Sequence, residues 1–353
     1  MTKFRKKFIT KEYRRKAGIL GTLGAAALLL AGCGQSGEEV YQIPEDKKLI
    51  VYTAHKEDVY EPIIKEFEER TGIFVELKAG DTLELFEELQ QDPPGTFDVI
   101  FGGGIENFEE CRDYLQPYTV SESDRIAEQY RAEGDVYTPF SVLPTVFIYN
   151  NKLVYPVAAP KTWEELLTDR WKGKIAFADP TKSGSSYTAL CTMLQISGQE
   201  EEKTLEAFCN TLDGNLSPSS VAVLEEVNAG TRLVGITTEG MARQKILEGA
   251  DITVIYPMEG TGAIPDATAI VKGAKHAENA EAFLEFTVSR DVQRLVEESF
   301  FRRTVRNDMD KYALQEQGKI KTIDYDIHWA SQEKEKILNT WEELQRRTDE
   351  KVD

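Results

Sequence analysis

Short runs of β-branched and aliphatic residues alternate along most of this chain with segments whose apolar side chains recur every three to four positions. That alternation constrains the fold more than any other feature, because strand–helix–strand units bury both faces of a largely parallel sheet. Leu49-Ile50-Val51-Tyr52-Thr53 has the make-up of a buried strand, and Ile63, Ile64 and Phe67 recur at helical spacing after it. Pro62 fits the first turn of that helix and Gly72 its stop. Residues 73–77 predict a second strand. Asp81 and Glu84 predict a capping box for a helix over 82–90, which Asp92-Pro93-Pro94-Gly95 ends. A third strand over 97–101 runs into Gly102-Gly103-Gly104.

Residues 142–149 predict a strand leading into a second lobe. Thr162-Trp163-Glu164-Glu165 opens a short helix as a capping box. Strands are expected over 174–178, 232–237 and 252–256, with helices carrying Leu190, Met193 and Leu194 and spanning 241–248. A strand over 268–271 would cross back to the first lobe, and Ala280, Phe283 and Leu284 mark one more amphipathic helix. The tail from Asp324 on is helical in composition, with Trp329, Ile337 and Trp341 as docking residues. A length of 353 residues is enough for two packed domains.

The N-terminus predicts processing. Lys3, Arg5, Lys6, Lys7, Lys11, Arg14, Arg15 and Lys16 precede the apolar run 19–30, with Glu12 as the one acid of residues 1–32. That run is too short to span the bilayer core but suits a signal peptide. Leu30-Ala31-Gly32-Cys33 looks like the lipobox of bacterial lipoproteins, which implies cleavage after residue 32 and a lipid on Cys33. Residues 33–45 then read as a polar tether, and the expected location is the extracytoplasmic face of the cell membrane. The formal net charge of the whole chain is -19 and becomes more negative without the basic leader. Such a surface repels phosphate backbones and argues against a nucleic-acid partner. It leaves room for an anionic ligand held by a few oriented amides. Apart from Cys33, the cysteines are Cys111, Cys191 and Cys209; a Cys191–Cys209 disulfide is conceivable, but three thiols make no framework.

Several stretches together resemble the extracellular solute-binding proteins of bacterial ABC importers. They are Phe67-Glu68-Glu69-Arg70-Thr71-Gly72-Ile73-Phe74-Val75, Pro160-Lys161-Thr162-Trp163-Glu164-Glu165-Leu166, Trp171-Lys172-Gly173-Lys174-Ile175-Ala176 with Asp179-Pro180, Ala269-Ile270-Val271-Lys272-Gly273-Ala274-Lys275-His276, and residues 301–306. The resemblance runs from about 46 to 345 and is nearest to the subgroup of ferric iron, phosphonate and sugar-phosphate binders. It implies an α/β, two-lobed type II periplasmic-binding-protein-like fold with two hinge crossings and an interlobe cleft. Lobe 1 is expected over 46–142 and 268–353, and lobe 2 over 143–267. Closure on the solute would be a population shift about the hinge.

In open α/β sheets ligands sit beyond the carboxyl ends of strands, and the candidate residues follow predicted strands. Ser183, Ser185 and Ser186 stand where hydroxyls, amides and a positive helix end converge, which suits phosphate, phosphonate or carboxylate. In phosphate-binding members similar to this chain, that loop contacts the ligand. Gly103 and Gly104 would let a ligand approach bare backbone. Thr53 and His55 follow the first strand, Thr238 and Glu239 follow the strand over 232–237, and Glu259 lies in a turn before the return crossing. Ferric binders of the subgroup place paired tyrosines where Thr237-Thr238-Glu239 stand here. Threonine hydroxyls are poor donors for ferric iron, so a sugar phosphate or phosphonate is the expected solute, with iron the alternative and presentation of ligand to a sensor kinase a further one. No metal spacing, cofactor motif, nucleophile elbow or Ser/His/Asp signature occurs, so binding rather than catalysis is expected. The expected partners are a small-molecule solute, an ABC permease and the membrane through Cys33, with the protein itself a monomer.

Overall fold

The computed structural model describes residues 43–309 and 320–349. The basic leader, Cys33 and the start of the tether lie outside the described residues.

The first strand, β1 (Lys48–Thr53), buries every second residue, with Leu49, Val51 and Thr53 inside. Helix α1 (Glu57–Thr71) follows and lays Val59, Ile63, Ile64 and Phe67 against the sheet. It starts earlier than the sequence implies, so Pro62 stands in its second turn, and Glu57 and Asp58 in the first turn complement the helix dipole. Gly72, at φ 67°, closes it in the left-handed conformation. Strand β2 (Phe74–Ala79), helix α2 (Thr82–Gln91), strand β3 (Val99–Gly104) and helix α3 (Ile105–Glu110) complete the first half. The capping box expected at α2 does not form, since Asp81 makes no side-chain bond to the helix end. Strand β4 (Leu115–Gln116) leads on to β5 (Thr138–Asn150).

The second half holds α4 (Trp163–Leu166), β6 (Ile175–Ala176), α5 (Gly184–Ser197), α6 (Glu201–Leu212), α7 (Ser220–Ala229), β7 (Val234–Thr238), α8 (Glu239–Leu247) and β8 (Ile252–Ile255). Here the expected cap is present: the Thr162 hydroxyl accepts from the Glu165 amide at 3.2 Å. The chain then returns through β9 (Ala263–Val271), α9 (Ala277–Val288), α10 (Arg290–Glu298) and β10 (Arg303–Thr304), and ends with α11 (Ile327–Gln332) and α12 (Lys334–Asp349).

The strands run in the order β2-β1-β3-β9-β5-β7-β6, with β10 and β8 also on β5 and β4 on β9. Strand β5 joins the two halves. Its residues up to Pro144 pair antiparallel with β9, and those from Thr145 pair with β7 and β8. The return strand begins at Ala263 rather than at 268, although Pro265 and Asp266 are poor strand formers. Tertiary pairing overrides propensity there, because the Asp266 carboxylate accepts both the Ser141 amide (2.8 Å) and the Ser141 hydroxyl (2.7 Å) of β5. The tail touches both halves: α11 packs on α3, and α12 packs on α6. Ile337 and Trp341 are buried as expected, Trp341 against Phe177 and Phe208, while Trp329 is half-buried. Cys111, Cys191 and Cys209 are buried free thiols, so Cys191 and Cys209 are not bridged. Among the described residues no helix is long and apolar enough to cross a membrane.

Candidate functional site

A parallel strand delivers the chain to one edge of its sheet, and the helix that follows must start there. The result is a cavity lined by the N-caps of six helices: Lys56 of α1, Asp81 of α2, Gly104 of α3, Ser183 of α5, Ser219 of α7 and Thr238 of α8. Each helix start carries roughly half a positive charge. The cavity measures about 160 Å³, room for roughly ten waters at one probe sphere each. Residues from both halves of the sheet wall it, and Gly184 of α5 faces Thr82 of α2 across it.

The densest donor set comes from α5 and α7. The Ser183 hydroxyl accepts from the Ser186 amide (3.3 Å) and lies 3.2 Å from the Ser185 hydroxyl. The Ser219 hydroxyl accepts from the Ala222 amide (3.2 Å). Those caps satisfy the third amide of each helix. The amides of Gly184, Ser185 and Ser220 have no hydrogen-bond partner among the described residues, and all three residues line the cavity. Lys182 and Lys56 line the wall, Lys182 lying 3.9 Å from Asp179 Oδ2, and Asp81, Asp179 and Asp266 line it as well. Asp179 is turned to its own loop, accepting from the Thr181 amide and hydroxyl at 3.0 and 2.8 Å. Since the charged side chains of the lining balance, it is the unpartnered amides at the helix starts that suit the arrangement to an anion.

Opposite stands a buried network. Arg302 Nη1 donates to Asp266 Oδ2 (2.8 Å) and Ser141 Oγ (3.2 Å), and lies 3.3 Å from His55 Nδ1. Burial pushes the Asp266 carboxyl up, against the pull of Arg302 and Ser141. Burial and the Arg302 charge hold His55 well below the usual imidazole range, so the ring is neutral. Phe101 and Phe140 pack on the ring. Phe301, just before Arg302, has φ 54°, an uncommon conformation for a bulky residue.

Of the candidate residues, the structure brings His55, Gly103, Gly104, Ser183, Ser185 and Thr238 to the cavity wall. The other four lie elsewhere. Thr53 is fully buried; its hydroxyl donates to the Phe101 carbonyl (2.8 Å) and accepts from the His55 amide (3.2 Å), which shapes the turn that carries His55. Ser186 is buried one turn into α5, behind its cap. Glu239 is fully buried and accepts from Arg303 Nε (2.7 Å), Arg303 Nη2 (3.0 Å) and the Tyr256 hydroxyl (2.5 Å). It ties α8 to β10. Glu259 Oε1 accepts from the Trp163 amide (2.9 Å) and so holds the start of α4. Gly103, at φ 99°, and Gly104 are also demanded by packing: a Cβ would meet Phe86 at 2.9 Å from the first and Glu106 Oε2 from the second. Sequence reasoning missed Ser219, Ser220, Arg302 and Asp266. The serines had a signal in Ser217-Pro218-Ser219-Ser220 before a helix; Asp266 and Arg302 had none, because partners 36 residues apart meet only in the fold.

A profile of the family described as bacterial extracellular solute-binding protein matches residues 96–328. The chain is 24% identical over 299 residues to iron uptake protein A1 of Synechocystis sp., covering 78% of this chain and 81% of that one. It is 25% identical over 184 residues to a periplasmic protein of Salmonella typhi named for 2-aminoethylphosphonate binding, covering 50% of this chain and 53% of that one. Among solved structures, a periplasmic binding protein of Actinobacillus pleuropneumoniae, described with exogenous fructose-6-phosphate bound, superposes with a TM-score of 0.75 at 21% identity, covering 85% of this chain and 98% of that one.

Proposed function

The chain belongs to the family of bacterial extracellular solute-binding proteins, with their type II periplasmic-binding-protein fold, and from that premise we propose that its solute is a small organic anion, a sugar phosphate or a phosphonate. Family members capture a solute outside the cytoplasm for an ABC importer. The observation that carries the anion reading is the convergence of six helix starts on one cavity of an acidic protein. Unpartnered amides at Gly184, Ser185 and Ser220 supply donors, and Lys182 supplies charge. The relatives named for phosphonate and fructose-6-phosphate fit that chemistry.

In this reading β5 and β9 are the hinge strands. Lobe 1 spans 46–142 and 268–353 and lobe 2 spans 143–267, with the tail strapped across both. Solute is bound and released without turnover, and Cys33 carries the lipid that keeps a monomeric protein beside its permease. Ferric iron, which the cyanobacterial relative's name favours, fits the donors less well. Glu239 is committed to Arg303 and Tyr256, and burial together with that carboxylate pushes the Tyr256 phenol up, away from the phenolate that ferric iron prefers.

Calorimetry on residues 33–353 against fructose 6-phosphate, 2-aminoethylphosphonate, inorganic phosphate and ferric citrate tests the proposal. A phosphate ester or phosphonate is expected to bind, with affinity lowered at least tenfold by joint Ser183→Ala and Ser185→Ala replacement. Binding of ferric citrate alone, with a visible tyrosinate-to-iron band, overturns it.

A further inference from the structure

Helix α5 turns a face of small residues to the rest of the molecule. Gly184, Thr188 and Thr192 recur every four positions, so they share one side of the helix. Gly184 meets Thr82 of α2, the Thr188 hydroxyl donates to Glu106 Oε1 of α3 at 2.8 Å, and Thr192 stands against Gly262 just before β9. Glu106 is buried, and the Tyr325 hydroxyl donates to the same Oε1 at 2.8 Å. Its Oε2, tucked under Gly104, has no hydrogen-bond partner among the described residues. Lys334 of α12 donates to Asn107 Oδ1 (2.8 Å) and Glu110 Oε2 (2.6 Å), and Arg112 pairs with Glu109 (2.8 Å). Tyr137 donates to Glu109 at 2.9 Å. Burial keeps Tyr137, Tyr187, Cys191 and Tyr325 protonated. Burial also pushes the Glu106 carboxyl up, against the pull of its own amide, the two hydroxyls and Lys334. A carboxylate with one bare buried oxygen is costly, and a proton removes the charge.

We propose that Glu106, in its protonated form, is a positioning residue of the anion site: it seats the start of α5 on α3, and solute capture is linked to the uptake of a proton from solvent at its carboxyl. Thr188 transmits the effect. Its hydroxyl also lies 3.1 Å from the Gly184 carbonyl one turn back, so the group that bonds Glu106 borders the turn whose Gly184 and Ser185 amides have no partner. A neutral carboxyl leaves that seat intact, whereas an ionised one favours water over the seat and loosens the α5 start. Because the seated state favours the proton, the linkage strengthens capture at low pH and weakens it as the pH climbs through the raised Glu106 value. The link to capture rests on the anion reading above; the charge state of Glu106 in the free protein does not.

Infrared difference spectra of residues 33–353, wild type minus Glu106→Gln, isolate the carbonyl stretch of the Glu106 acid. Its midpoint in the free protein is expected at least one pH unit above the ordinary glutamate value of about 4.3, and a smaller displacement overturns the proposal. Calorimetry with fructose 6-phosphate at pH 5 and pH 8 reads the linkage, since comparison with Glu106→Gln cancels the solute's own titration. The affinity of wild type relative to Glu106→Gln should fall about three- to tenfold from pH 5 to pH 8, a linkage of up to about one pH unit. A constant ratio refutes the positioning role and leaves Glu106 a core residue. Melting temperature checks folding, and Glu106→Met, neutral and of similar length, repeats the comparison should the glutamine variant not fold. If neither fructose 6-phosphate nor inorganic phosphate binds, the anion reading fails, while the infrared midpoint and the melting temperature still decide the seat. Wild type should lose more melting temperature than Glu106→Gln between pH 5 and pH 8, and equal losses refute the seat.

Discussion

What a histidine does here depends on the charges it faces, and His276 faces the reverse of what His55 faces. Its Nδ1 lies 2.7 Å from Asp98 Oδ2, its Nε2 3.2 Å from Glu45 Oε2, and its amide donates to Asp98 Oδ1 at 3.0 Å. Burial alone would lower its pKa, but the two carboxylates outweigh burial and raise it. A folded-state pKa above the unfolded one gives stability that is complete below about pH 6.5 and fades as the pH climbs through the folded value. His55, held neutral, acts the other way: below about pH 6.5 the unfolded chain gains a proton there that the folded chain refuses. From pH 6 to pH 8 the urea midpoint of wild type should therefore shift downward relative to that of His276→Asn, which keeps the opposing contribution of His55. Equal shifts in the two proteins would remove the ion pair from the account. None of this shows in the sequence, where His276 is one residue of a family-like stretch and its partners lie 178 and 231 positions away.

At the scale of elements, helix starts carry the site, and N-cap chemistry is where sequence reasoning reached furthest. Ser183 stood out because a serine between a strand and an apolar helix has one obvious use. Ser219 has the same use at α7, and its hydroxyl accepts the Ala222 amide as that use requires. Ser219→Ala should cost about 1 kcal/mol, a fall in melting temperature of roughly 2 °C for a chain of this size. Because Ser219 also lines the cavity, fructose 6-phosphate should bind more weakly to the variant. A lower melting temperature with unchanged affinity would make α7 a structural neighbour of the site and nothing more. The longer strands and the helices α1, α2, α4, α5, α8 and α9 were legible because apolar periodicity reports local burial, whereas α3, α6, α7 and α10 went unread. Element ends were less so: β9 begins five residues early because Asp266 answers an amide and a hydroxyl on β5, a demand that no window of sequence contains. Glu239 and Glu259 read as free carboxylates for the same reason, as Arg303 and the start of α4 reach them only in the fold.

Across the whole molecule the charge and the site oppose each other. The chain carries a formal -19, and the lining of the cavity sets Lys56, Lys182 and Arg302 against Asp81, Asp179 and Asp266, so that the positive helix starts supply what attraction it has for an anion. An anionic solute is thus repelled at long range and attracted only within the last few ångströms, where desolvated donors act without much screening. Electrostatic steering normally speeds association at low salt; here the sign inverts. Raising ionic strength from about 0.01 M to about 0.15 M shortens the screening length from roughly 30 Å to roughly 8 Å. That change hides the acidic exterior while leaving the cavity's contacts in place. Stopped-flow association of fructose 6-phosphate should therefore quicken with added salt, by about two- to fivefold, while dissociation stays nearly constant. The salt must have an anion too large for the cavity, so that competition does not mask the effect. Association that slows with salt would mean that the solute senses a positive surface from afar, and the anion-selective pole would then lie outside the six helix starts.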